Sequence, residues 1–117
     1  MKDDIYHLLT SCTIAKYMWN IVFKILGICK QNSDEFIILG HTDKESNFVL
    51  TQISFLIYKY WLIQSNSSSS KTLYTFKYFI QRELRFIVEV YKQVSYISEN
   101  IVSKLDSVRH HIMNDHI

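Results

Sequence analysis

Across 117 residues there is no proline, and the only two glycines are Gly27 and Gly40. A β-fold of this length needs many tight turns, and tight turns draw on Gly and Pro. Long helices need neither in their interiors. The chain therefore reads as all-α, and its apolar residues recur at helical spacing. Thr13 is a good N-cap residue. After it, Ile14, Tyr17, Met18, Ile21, Val22, Ile25 and Leu26 repeat with a helical period, and Gly27 is placed to end that helix.

A second helix is expected from about Ser46 to Ile63. Phe48, Val49, Leu50, Ile53, Phe55, Leu56, Ile57, Tyr60, Trp61 and Ile63 make it apolar nearly all round, the mark of a central, buried helix. Between these two helices, residues 28–33 read as a loop, Ser33 caps a short turn DEFIIL, and HTDKES is a polar connector. QSNSSSS (64–70) is a solvated linker. Thr72 then caps a third helix, with Leu73, Phe76, Phe79, Ile80, Ile87, Val90, Tyr91 and Val94 facing one way. Glu83 projects toward that apolar face, so it needs an edge position or a cation such as Lys59. Ile97, Ile101, Leu105, Val108 and Ile112 keep a helical period, giving a fourth helix or an extension, and the tail RHHIMNDHI reads as fraying. The expected architecture is a small bundle of three main helices plus a possible fourth C-terminal helix. A helical domain spans 1–97, and 98–117 is an extension or frayed tail.

Composition narrows the function classes. Hydrophobic residues are 48% and charged residues 21%, an ordinary globular balance, and a net charge of +2 is too small to argue for nucleic acid by itself. The start, MKDDIYHLL, is not a signal peptide. The longest apolar run, Phe48 to Ile63, is broken by Thr51, Gln52, Ser54 and Lys59 and falls short of a membrane span. Two cysteines, Cys12 and Cys29, make no disulfide framework, so an intracellular, nuclear or cytoplasmic setting is expected, with Asn66-Ser67-Ser68 a chance sequon. There is no Gly-rich phosphate loop, nucleophile elbow or HExxH. Asp3-Asp4 and Asp34-Glu35 are adjacent pairs, which do not share a helix face and suit helix starts. No enzyme activity is expected.

Two constellations carry chemistry. His7 and Cys12 form a His-x4-Cys pair, the spacing found in half of a zinc knuckle. Zinc takes four N or S ligands. No Cys precedes His7, and Cys29 lies beyond a whole helix, so zinc is expected only if the missing ligands come from elsewhere. A C-terminal group, His110, His111 and His116, matches no metal spacing and reads as a solvated tail. On the third helix Lys71, Arg82, Arg85 and Lys92 fall within roughly a quarter of the side opposite the apolar face, with Lys77 nearby and Glu89 interrupting. Interleaved Tyr74, Tyr78 and Phe86 suit a single strand of RNA or DNA. An ordinary solvated helix face produces the same charges.

The segment DDIYHLLTSC-x6-W resembles E-(T/S)-x-x-H-L-φ-φ-x-C-x6-W (φ apolar), which follows the polymerase in non-LTR, LINE-type retrotransposon reverse transcriptases. Asp3 or Asp4 takes the acidic place, and His7, Leu8, Cys12 and Trp19 take the others. The likeness extends over about residues 3–94. It runs through IILG (37–40), NFVLTQISFLIYKYWLIQ with its embedded Lys59, the Ser linker, and TLYTFKYFIQRELRFIVEVYK. It implies a non-catalytic helical tail with weak RNA or DNA binding. His7 and Cys12 match the last two ligands of that family's Cys-Cys-His-Cys zinc pattern, a knuckle remnant whose first half is absent, and Met1 is then expected inside a former domain. The competing expectation is a lineage-specific interaction or self-associating module that exposes apolar surface around Tyr6, Trp19 or Trp61.

Overall fold

The apolar periodicities become four helices in a computed structural model that describes residue 9 and residues 12–28, 43–65 and 73–114. They are α1 (Thr13–Leu26), α2 (Lys44–Ser65), α3 (Leu73–Tyr91) and α4 (Glu99–Met113), with no strand among the described residues. The fold is an all-α bundle around one shared apolar core.

The N-cap of α1 is Cys12, one position before the expected Thr13, and its side chain makes no capping hydrogen bond. The helix closes as its sequence requires. Gly27 takes the left-handed conformation (φ 72°), its N–H donates to the Lys24 carbonyl, and the N–H of Ile28 donates to Phe23 at 3.0 Å. Ala15, Met18, Trp19, Val22 and Phe23 turn inward, while Tyr17, Ile21 and Ile25 flank them.

For α2 the cap is Asp43, whose carboxylate accepts from the Ser46 N–H at 2.9 Å. Val49, Leu50, Ile53, Leu56, Ile57 and Tyr60 form a single buried stripe. The expectation of a helix buried all round is therefore corrected: Phe55 is 59% exposed, and Trp61, Leu62 and Ile63 also reach solvent.

The third helix runs antiparallel to α2. Phe48 meets Tyr91 edge-on, Tyr60 packs on Phe76 and Phe79, and Lys59 Nζ lies 3.0 Å from Glu83 Oε1. This ion pair is the partner that Glu83 needs on the apolar side of its helix. It is half open to water, so its contribution is about 1 kcal/mol or less. The buried residues of α3 are Phe76, Phe79, Ile80, Leu84 and Val88; Val90, expected on this face, is exposed.

Of the two expectations for the C-terminal segment, a fourth helix or a frayed tail, the capped helix forms over Glu99–Met113. Ser98 is the N-cap of α4 and accepts from the Ile101 N–H at 3.2 Å. The same hydroxyl donates to Glu45 at 2.9 Å, and Asn100 donates to the other Glu45 oxygen. One carboxylate thus joins the N-termini of α2 and α4, where the helix dipoles favour an anion. Ile101, Leu105, Val108 and Ile112 are buried, and α4 packs against α1, α2 and α3. The helix continues through His110 and His111 to Met113.

Because Leu105 is fully buried in this core, Leu105→Ala is expected to cost about 2–5 kcal/mol in chemical denaturation. A loss within experimental error would mean that α4 is not part of the cooperative unit.

Candidate nucleic-acid interface

The buried stripe of α3 fixes which of its residues face water. Tyr78, Arg82, Arg85, Phe86 and Glu89 lie within an arc of about 100° on the opposite side. Tyr78 is 65% and Phe86 68% exposed, and both arginines are exposed between them. The two rings are about 12 Å apart along the axis at 1.5 Å per residue. Arg82 lies 3.9 Å from Glu83, at the limit of an ion pair, which leaves its guanidinium loosely held. Arg85 has no ion-pair partner among the described residues. Glu89, the acidic interruption, is paired with Lys92 at 3.5 Å, so its charge is offset locally.

The five basic residues singled out in the sequence are thus not equivalent. Arg82 and Arg85 share the outer face of α3. Lys92 lies one residue past the helix end and is engaged by Glu89. Lys77 is half-buried and has a partner of its own. Lys71 lies outside the described residues, as does the side chain of Tyr74. What the arrangement offers chemically is two exposed guanidinium groups, which match phosphate oxygens in geometry, between two exposed ring faces on which bases can stack.

The proposed metal pair divides in a similar way. His7 lies outside the described residues, as do Tyr6, Cys29 and His116. Cys12 is half-buried and packs against the core, and its carbonyl accepts from the Lys16 N–H at 2.9 Å. No group of three or more His, Cys, Asp or Glu residues able to hold a metal occurs among the described residues. Trp19, expected as exposed apolar surface, is 4% exposed. Its indole N–H donates to the Leu9 carbonyl at 2.8 Å and its ring stacks on Phe23, so this residue ties Leu9 to the core. Trp61 does reach solvent.

No family model, curated protein or solved structure matches this chain. No helix among the described residues is long and apolar enough to cross a membrane.

The position of Cys12 gives a direct test of its two roles. At an N-cap, Ser supplies the side-chain oxygen that Cys12 does not, so Cys12→Ser is expected to leave thermal stability unchanged or raise it by about 1 kcal/mol. A large destabilisation seen only in the presence of zinc would instead identify Cys12 as a ligand.

Proposed function

We propose that this protein is a non-catalytic helical module that binds single-stranded RNA or DNA weakly along the outer face of α3. The observation that carries this reading is the alternation Tyr78, Arg82, Arg85, Phe86 on one exposed arc. The cations neutralise phosphates while the rings stack on bases. The resemblance of residues 3–94 to the tail of LINE-type reverse transcriptases points the same way.

Fluorescence anisotropy with a labelled single-stranded oligonucleotide tests it. Two phosphate contacts predict a slope of log K against log salt of about −1.4, from about −0.7 per contact on single strands. Arg82→Glu with Arg85→Glu is expected to abolish binding. Phe86→Ala is expected to cost about 1–3 kcal/mol, the value of one base–aromatic stack. No binding at low salt, or binding indifferent to salt, would overturn the proposal.

A second reading, self-association, is favoured by the outer face of α2, where Phe55 and Leu62 lie seven residues apart on one side and both are exposed. Sedimentation of the full chain is then expected to show a concentration-dependent dimer that Phe55→Asp abolishes. A monomer at every concentration would remove this reading.

A further inference from the structure

The C-terminal halves of α1 and α4 border an open groove of about 670 Å³, lined by Tyr17, Asn20, Ile21, Lys24, Ser107, His110, His111 and Asn114. Its volume is within the range of small-molecule sites, about 300–1,000 Å³. Its chemistry is one-sided. It holds one ammonium, two imidazoles, two amides and two hydroxyls, and no carboxylate among the described lining residues.

Each of these basic residues has an ordinary explanation by itself. Lys24 is in the last turn of α1 and His110 and His111 are in the last turn of α4, where positive charge offsets the helix dipole. That explanation does not require the two helices to direct those residues into the same groove. The surroundings of the imidazoles add to the case. His110 Nε2 lies 3.4 Å from Asp106, but Asp106 is already held by Arg109 at 2.9 Å, so the nearest carboxylate is neutralised in place. His111 Nδ1 lies 3.2 Å from the Ser107 carbonyl. A carbonyl only accepts, so Nδ1 donates there and Nε2 is the nitrogen left for a ligand, donating to a phosphate when the ring carries both protons.

We infer that this groove binds the phosphate group of a small phosphorylated molecule through Lys24 and His111, with Asn20 and Asn114 as further donors. A phosphate monoester carries close to two negative charges near neutral pH and offers several acceptor oxygens. It can therefore draw on donors from both helices and outweigh the partial negative charge of two helix C-termini. Lysine serves such a group as a point charge. The remaining wall, Tyr17 and Ile21, gives an apolar surface for the body of the molecule. The site is on helices other than α3 and is independent of the nucleic-acid reading.

The test is an NMR titration of the full chain with inorganic pyrophosphate, with adenosine monophosphate, and with a single-stranded oligonucleotide. Pyrophosphate and the mononucleotide are each expected to shift the His111 ring and Lys24 resonances with millimolar or tighter affinity. Lys24→Gln and His111→Gln, both at exposed positions, are each expected to weaken binding about tenfold, the scale of one charge-assisted hydrogen bond. Arg82→Glu is expected to leave it unchanged. Three outcomes would overturn the assignment: no shift with either small phosphate, shifts that survive both groove substitutions, or shifts at His111 produced by the oligonucleotide alone.

Discussion

Four buried aliphatic side chains on a largely polar helix hold this bundle together. Ile101, Leu105, Val108 and Ile112 are the buried residues of α4, and that helix packs against each of the other three. Its start is fixed by Ser98 and by Glu45 reaching across from α2. With α4 and α2 both claiming the apolar stripe of α3, the rotation of α3 about its own axis is determined. Phe76, Ile80, Leu84 and Val88 go inward, and the residues opposite them go to water. The exposure of Tyr78, Arg82, Arg85 and Phe86 therefore follows from core packing, since turning α3 to hide the rings would bring its buried aliphatics out. The chain of cause runs from a stripe on one helix to the exposed face of another.

Much of this was legible from local chemistry, and the failures have identifiable causes. Gly27 ends α1 where the sequence places it, because a left-handed residue after an apolar period has few other uses. Glu83 finds Lys59 because an acid on an apolar face needs a partner. The C-terminal segment stayed open between a fourth helix and a frayed tail because one apolar residue per turn gives a narrow stripe in a polar helix. Average polarity does not say whether three partners close around it. The forecast of all-round burial for α2 failed. A run of apolar residues with no clear period conceals its true stripe, and only the positions of α1, α3 and α4 select Val49, Leu50, Ile53, Leu56, Ile57 and Tyr60 from it.

Arg82 and Arg85 were readable as one face because their spacing is a property of a single helix. Lys77 falls within about 20° of both Leu84 and Val88 at 100° per residue, so its half-burial follows from the same period. The groove between α1 and α4 was out of reach of any single-helix period. Lys24 and His111 are far apart in the chain, and each satisfies the dipole of its own helix. Only tertiary structure puts them on one site.

The exposed rings on α2 and α3 differ in their company, and the difference decides what each face can bind. On α3, Tyr78 and Phe86 are separated by arginines, whose aliphatic stems cover apolar surface while the guanidinium stays hydrated. A purely apolar partner would have to desolvate those charges, at a cost of several kcal/mol per unpaired ion, whereas an anionic partner with aromatic bases meets both components. On α2, Phe55 and Leu62 share their face with Thr51, Tyr58 and Lys59, and that one ammonium is engaged by Glu83 of α3 at 3.0 Å. With its single charge paired, this face offers a polyanion less than α3 does, and its apolar surface gains by being covered. The two faces are therefore suited to different occupants, and the binding of one need not exclude the other.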